Sequence, residues 1–152
     1  MKKNLFLILG LSMVILSIGC GKDDEGAAET VDKVTADEVR LVMTMPSVIT
    51  STDVFVLAGS FKADAWTPDK STVALTKNAA GKYTVDVKIA DFDKQLEFKV
   101  VKNPKNGGDA WKFVEKDAVC AEVDNRKIAL ADAGKEVAFE IKNFRNTGTC
   151  PD

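Results

Sequence analysis

The sequence predicts an all-β domain, an immunoglobulin-like β-sandwich of seven or eight short antiparallel strands. Apolar and polar residues alternate along most of the chain after residue 37, and helical spacing is almost absent. Turn-forming stretches such as AAG (79–81) and NPKNGGD (103–109) separate the alternating segments. The predicted domain, residues 37–152, is roughly 115 residues long, which is enough for a single hydrophobic core.

The first half of this domain contains four predicted strands that differ in how they are buried. DVFVLAGS is nearly all apolar, which indicates burial on both faces. KYTVDVKI alternates strictly, so its apolar side chains, including Tyr83, share one face and its polar side chains share the other. The four predicted strands are EVRLVMTM (38–45), DVFVLAGS (53–60), STVALTK (71–77) and KYTVDVKI (82–89).

The second half contains further alternating segments with Gly-, Asn- or Asp-rich stretches between them. In two places, IADFDK and VEKDAVCAEV, the pattern is also compatible with a helical turn. AWKFVE is expected to pair back as a hairpin strand. The predicted strands are QLEFKVVK (95–102), AWKFVE (110–115), NRKIALA (125–131) and EVAFEIKNF (136–144).

The N-terminus has the features of an export signal. Lys2 and Lys3 precede the apolar run LFLILGLSMVILSI, which is too short for a membrane span. The following SIGC resembles the lipobox of bacterial lipoproteins, which implies cleavage after residue 19 and lipidation of Cys20. The alternative is an ordinary secretory signal with a Cys at this place by chance. Two or three acyl chains on Cys20 would anchor the protein stably to a membrane.

The segment after Cys20 is polar, small and charged, so residues 20–36 are expected to form a flexible tether. Its first residues, GKDDEG, resemble the export tag of Gram-negative surface lipoproteins in glycan-uptake systems. This resemblance implies an outer-membrane protein exposed at the cell surface, with other glycan-uptake proteins as possible partners.

Two cysteines remain once Cys20 is lipidated, namely Cys120 and Cys150. An even pair in an oxidising compartment predicts a disulfide. A metal site is the weaker alternative, because the chain has no His and neither cysteine has another thiol nearby.

Composition argues against several function classes. Without His, imidazole base catalysis and His-ligated zinc are excluded. Most carboxylates fall at outward strand positions or in loops, and the DFD and NGGD loops alone hold too few ligands for calcium. Loss of Lys2 and Lys3 with the signal would move the formal net charge from −2 to −4, which argues against nucleic acid. We therefore expect no enzyme, no cofactor and no metal.

An ordered set of segments between residues 53 and 131 resembles the starch-binding domains known as family-20 carbohydrate-binding modules. In chain order the segments are VFVLAGSF, AWTP, GKYTVDVKI, QLEFKVVK, a second Trp, and DNRKIAL. The resemblance implies a glucan platform of Trp66 and Trp111. It also implies that Lys99 and Asn125 hydrogen-bond sugar hydroxyls, whereas Arg126 braces the fold.

Each of these four site residues also has a structural interpretation. Trp66 could lie at the edge of the core, and Trp111 could be a strand residue packed with Phe113. Lys99 could be a solvated surface lysine and Asn125 a turn residue. In addition, an insertion that contains Cys120 separates Trp111 from Asn125, where the family has only a few residues.

The expected function is therefore a non-catalytic surface lipoprotein that binds α-glucan, or a related glycan, through a tryptophan platform. The first alternative is a structural or protein-interaction lipoprotein of the envelope that keeps the fold without a sugar site. The second is an accessory domain of an enzyme. Tyr83 is expected to face inward, so a single sugar site is predicted.

Overall fold

The computed structural model describes residues 33–104 and 109–151. The predicted signal peptide, Cys20 and nearly all of the tether lie outside these residues. The described part is built of strands and three short 3₁₀ helices, which confirms the all-β prediction. None of its helices is long and apolar enough to cross a membrane. The strands are β1 (Glu38–Thr44), β2 (Phe55–Gly59), β3 (Thr76–Lys77), β4 (Tyr83–Lys88), β5 (Gln95–Lys102), β6 (Glu115–Lys116), β7 (Arg126–Ala129), β8 (Glu136–Glu140) and β9 (Asn143–Phe144).

The first sheet has the strand order β3-β4-β1-β8. β1 pairs antiparallel with β4, with Leu41 opposite Val85. β1 also pairs in parallel with β8, with Leu41 opposite Val137. All other strand pairings of the described residues are antiparallel. A parallel pair requires a long crossover connection. Here the connection from the end of β1 to the start of β8 comprises most of the domain.

The second sheet has the order β2-β5-β7 and carries the candidate site. Ala58 of β2 lies opposite Lys99 of β5, and Glu97 of β5 lies opposite Lys127 of β7. An isolated bridge between Val56 and Ala74 adds a short extended segment beside β2. The two-residue strands β6 and β9 pair separately.

The main core lies between the inner faces of the two larger sheets. Alternate residues of β1 and β5 are fully buried there, as their period-two pattern predicts. β2 is buried on both faces, which confirms that prediction. Its Phe55 and Leu57 face the main core, whereas Val56 and Ala58 belong to a second, smaller apolar cluster on the outside of the sheet.

The segment AWKFVE does not form the predicted hairpin strand. Ala110–Phe113 is a 3₁₀ helix, so the pairing back to β5 is reduced to one antiparallel bridge between Val114 and Val101, and Glu115 and Lys116 form β6. The Asp109 carboxylate explains the helical turn, because it accepts the backbone N–H of Trp111 at 3.0 Å. The other two 3₁₀ helices, Ile89–Asp91 and Leu130–Asp132, follow β4 and β7 directly.

Two other predicted strands are shorter or divided. In 71–77 only the bridge at Ala74 and β3 are paired as strand, and 136–144 divides into β8 and β9. IADFDK contains the first of the 3₁₀ helices, so one of the two compatible helical turns is present.

The predicted disulfide joins Cys120 and Cys150, whose Cα atoms are 5.4 Å apart. Cys150 is buried, and the bond fixes the C-terminal residues to the inserted loop between β6 and β7.

Candidate functional site

The outer face of the second sheet brings the four predicted site residues together. Phe98 and Val100 of β5 point into the core, so the alternate residues Glu97 and Lys99 point outward. Ala58 lies directly opposite Lys99, on the same face. Trp66, Trp111 and Asn125 are attached to this face through the contacts described below.

Trp66 lies in the loop that follows β2. Its backbone N–H donates to the Gly59 carbonyl at 2.9 Å, which fixes the loop to the end of the strand. Its φ angle is 55°, and that of Asp64 is 53°. This left-handed conformation is rare for a bulky residue and is found where the surrounding structure imposes it. The indole is half-buried and does not belong to the main core cluster.

Trp111 lies on the 3₁₀ helix capped by Asp109. Its half-buried indole packs against the outer apolar cluster of Val56, Ala58, Val101 and Val114. The side-chain amide of Asn146 donates to the Lys112 carbonyl at 3.0 Å and holds this helix from the other side. Trp111 is therefore not a strand residue, and part of its ring is left accessible.

The two indoles are neighbours. Their ring centroids are 6.3 Å apart and the planes are inclined by 31°. Aromatic pairs in contact have centroids about 4.5–7 Å apart. The small inclination is far from an edge-to-face arrangement, so the two planes lie in similar orientations. The two half-buried indoles are therefore in contact and similarly oriented, and both residues are partly accessible to solvent.

Lys99 is not a solvated surface lysine. Its side chain is only 16% exposed, and its Nζ lies 3.8 Å from a Glu122 oxygen. The ammonium also donates to the Val123 carbonyl at 2.5 Å. Lys99 thus ties the inserted loop to the sheet, and one of its three N–H donors is occupied.

Asn125 is not simply a turn residue either. Its Nδ2 donates to Glu97 Oε2 at 3.1 Å. This bond, followed by the contact with Lys127, lowers the pKa of Glu97. The Asn125 amide oxygen has no hydrogen-bond partner among the described residues, so it can accept a bond from a ligand.

The inserted loop contributes a group that the sequence analysis missed. Glu122 accepts hydrogen bonds from Lys116, at 2.5 Å, and from Arg145, and it also faces Lys99. The Lys116 hydrogen bond is the main reason that the pKa of Glu122 is lowered. We call these four residues the Glu122 cluster. The only hint in the sequence was Cys120, which indicated that the insertion is held near the site.

Arg126 braces the fold, as predicted. Its Nε donates to Glu115 Oε2 at 2.8 Å, and a terminal nitrogen donates to the Glu140 carbonyl at 2.9 Å. Glu115 is fully buried, and its other oxygen accepts the N–H of Val100 at 2.8 Å. The guanidinium also lies 5.2 Å from the centre of the Phe139 ring. These bonds join the two larger sheets below the candidate site.

Tyr83 faces inward, as the alternation predicts. It is 7% exposed, and its ring meets Phe55 edge to face at 5.0 Å. It therefore offers no aromatic surface for a second sugar site. The part of the chain that the structure describes contains no group of three or more carboxylate or thiol residues arranged to hold a metal ion.

No family model matches this chain, and no curated protein matches it. Among solved structures, the chain is similar to "Glycoside Hydrolase Family 15 Glucoamylase from Hypocrea jecorina", with a TM-score of 0.42 and 17% sequence identity. The match covers 75% of this chain but only 18% of that one. A likeness at this level does not assign a function.

Proposed function

We propose that this chain is a non-catalytic surface lipoprotein that binds α-glucan, or a related glycan, on the surface formed by Trp66 and Trp111. The observation that carries the proposal is the pair of half-exposed indoles, 6.3 Å apart and inclined by 31°. This separation is on the scale of one sugar unit, so adjacent units of a chain could each contact one ring.

The chemistry of a sugar ring suits this surface. A pyranose has apolar C–H faces and a rim of hydroxyls, and an indole is a rigid apolar plane with low conformational entropy. Covering one indole face removes about 75–100 Å² from water, or about 2 kcal/mol at roughly 25 cal/mol per Å². Two rings therefore supply most of the binding free energy.

Polar groups beside the rings would position the hydroxyls. The Asn125 amide oxygen can accept a hydrogen bond from a sugar hydroxyl, because only its Nδ2 is engaged, by Glu97, and the remaining N–H donors of Lys99 can donate one. Each such bond contributes about 1 kcal/mol. After the cost of association the expected dissociation constant is about 0.1 mM. Weak single-site binding suits a polymeric ligand and many anchored copies, which gain by multivalency.

Native gel electrophoresis in starch or pullulan tests this function. We expect the wild-type protein to be retarded and Trp66→Ala to migrate as in a gel without polysaccharide. Lys135→Ala is the control, because Lys135 is an exposed residue immediately before β8, which belongs to the other sheet. Equal retardation of wild type and Trp66→Ala would contradict the proposal.

One observation favours the alternative of a protein-interaction lipoprotein. Lys99 already bonds within the protein, to Val123, so the residue that the family resemblance assigns to sugar binding is partly occupied. A folded protein that no glucan retards would support this alternative over the sugar site.

A further inference from the structure

The Glu122 cluster holds more positive than negative charge. Three cations, Lys99, Lys116 and Arg145, face the single carboxylate of Glu122. The side chains of Lys99 and Lys116 are largely buried, whereas that of Glu122 is 57% exposed. Two mostly buried ammonium groups and a guanidinium thus share one carboxylate at the protein surface.

The neighbouring acidic groups differ in whether a cation outside the cluster neutralises them. Glu97 bonds to Asn125 and Lys127, and Glu115 bonds to Arg126. The Asp117 carboxylate accepts the backbone N–H groups of Val119 and Ala121. Glu97 and Glu115 are therefore paired with cations outside the Glu122 cluster, whereas Asp117, which bonds only to uncharged N–H groups, and the exposed Asp124 keep their negative charges near it.

This cluster adjoins the aromatic surface. The backbone N–H of Arg145 donates to the carbonyl of Val114, which packs against Trp111. On the other side, Lys99 lies opposite Ala58, another member of the apolar cluster under Trp111. A ligand on the two indoles would therefore be next to the Glu122 cluster.

Arg145 is the member best placed to meet a ligand. Its side chain is 31% exposed, and one terminal nitrogen donates to Glu122. Its Nε and its other terminal nitrogen have no partner among the described residues. A guanidinium presents its N–H groups in a planar fork that fits the paired oxygens of a carboxylate or a sulfate.

We propose that the preferred ligand is a glycan with an anionic substituent, a carboxylate or a sulfate ester, which Arg145 binds next to the indoles. Lys99 and Lys116 supply the supporting positive charge. The Glu122 carboxylate already lies against these three cations, so it competes with the anionic substituent of the ligand and weakens its binding. This inference rests on the proposed function, because the indoles hold the sugar ring that carries the substituent.

Gel retardation with two matched pairs of polysaccharides tests the inference. Polygalacturonate is compared with its methyl ester, and dextran sulfate with dextran, so that each pair differs mainly in charge. The protein is expressed from its full sequence and extracted in detergent. We expect stronger retardation by the acidic member of a pair, and the pair that shows it identifies the substituent.

Variants assign this preference to the cluster. Arg145→Gln should weaken binding of the acidic polymer about tenfold and leave the neutral polymer unaffected. Glu122→Gln should strengthen binding of the acidic polymer, because the competing carboxylate is removed. Lys135→Gln, which removes an exposed cation on the other sheet, should change neither. Thermal unfolding identifies any variant that fails to fold, and the opposite signs of the first two effects cannot both arise from misfolding.

Three results would overturn the inference. The first is equal retardation by the charged and neutral members of both pairs, which would leave the proposed function intact. The second is binding of the acidic polymer that survives Trp66→Ala, because this would be ion exchange independent of the indoles. The third is an Arg145→Gln variant that binds the acidic polymer as wild type does. If no polysaccharide, neutral or acidic, retards the folded protein, the proposed function fails as well.

Discussion

The backbone of Trp66 adopts a conformation that its side chain makes costly. A φ angle of 55° places it in the left-handed region, which costs a non-glycine residue about 1–2 kcal/mol. The hydrogen bond from its N–H to Gly59 holds it there. Strain of this kind is concentrated at functional positions, and here the strained residue carries the indole that contacts Trp111.

This strain predicts an unusual order of stabilities at residue 66. Trp66→Gly should be more stable than Trp66→Ala by about 1 kcal/mol, because Gly adopts a positive φ without steric cost. Both variants should lose glucan affinity by about 30-fold, the equivalent of about 2 kcal/mol. Chemical denaturation and titration with a soluble glucan measure the two effects. An alanine variant as stable as the glycine variant would show that the backbone is not strained.

Trp111 is predicted to serve both stability and binding. It packs on Val56, Ala58, Val101 and Val114, so Trp111→Ala should lower the free energy of unfolding by about 2 kcal/mol as well as weaken glucan binding. Trp111→Phe keeps much of the packing. Relative to Trp111→Ala, it should restore more of the unfolding free energy than of the glucan affinity. Full affinity in a folded Trp111→Ala protein would restrict the site to Trp66.

At the scale of elements, the disulfide fixes the inserted loop. Cys120 and Cys150 are 30 residues apart, so the double change to Ala should cost about 3–4 kcal/mol of unfolding free energy. Because Lys99 holds the same loop through Val123, the strands should persist in this variant. Urea denaturation with and without a reducing agent measures the loss. Identical curves for the oxidised protein and the variant would contradict the expected role.

Two carboxyl groups in loops should make the protein less stable in acid. Burial raises the pKa of Asp53, but the hydrogen bonds from the Thr50 backbone and Asn103 outweigh it, so the net pKa is lowered. The pKa of Glu122 is lowered mainly by Lys116. A carboxyl group with a lowered folded-state pKa stabilises the fold above its unfolded-state pKa, and this contribution disappears as the pH falls through the folded-state value.

The expected pH window therefore lies below the ordinary values of 3.8 for Asp53 and 4.5 for Glu122. Denaturation at about pH 6 and about pH 3 should show lower stability in acid. Glu122→Gln should reduce this difference, because glutamine does not titrate. An unchanged difference in that variant would exclude Glu122 as a contributor.

The most accurate strand predictions are those for β1 and β5, each of which pairs with a neighbouring strand on both sides. β5 has the predicted bounds 95–102, and β1 is one residue shorter than predicted. Only part of the strand prediction for 110–115 was wrong: the cap from Asp109 makes 110–113 a 3₁₀ helix, whereas Val114 and Glu115 are extended. The sequence could not predict that β1 and β8 pair in parallel, because the alternation of apolar and polar residues is the same for a parallel and an antiparallel neighbour.

The candidate site was predicted only in part. Trp66, Lys99, Trp111 and Asn125 were assigned by their order in a family pattern; their contacts attach them to the outer face of one sheet, and their role in sugar binding stays a prediction. The Glu122 cluster could not be predicted, because its four members come together only through the folded position of the inserted loop. In the sequence, the four charged residues of the cluster lie in separate segments, and each charge there is what an ordinary solvent-exposed position would show.

At the scale of the whole molecule, the proposal requires an anchor at Cys20. Replacing Cys20 by Ser should abolish incorporation of labelled fatty acid and release the protein from the membrane fraction, because no acyl chain would then hold it. Extraction with and without detergent, followed by immunoblotting, measures this. A Cys20→Ser protein that still requires detergent would show that another feature anchors it.

The proposed display at the cell surface has a consequence for the retention of polymeric glucan. A dissociation constant of about 0.1 mM is too weak to retain a single soluble chain for long, but many anchored copies can bind one polymer at several points. Removal of the anchor should therefore weaken retention of polymeric glucan by cells much more than it weakens binding of a short oligosaccharide by the purified protein.

The central claim is that Trp66 and Trp111 together bind a sugar chain, and calorimetric titration of the purified protein with a soluble malto-oligosaccharide tests it most directly. We predict saturable binding with a dissociation constant of about 0.1 mM, and binding about 30-fold weaker in a Trp66→Gly protein that remains folded. A wild-type protein that releases or absorbs no heat well above that concentration, or a Trp66→Gly protein that binds as wild type does, would contradict the claim.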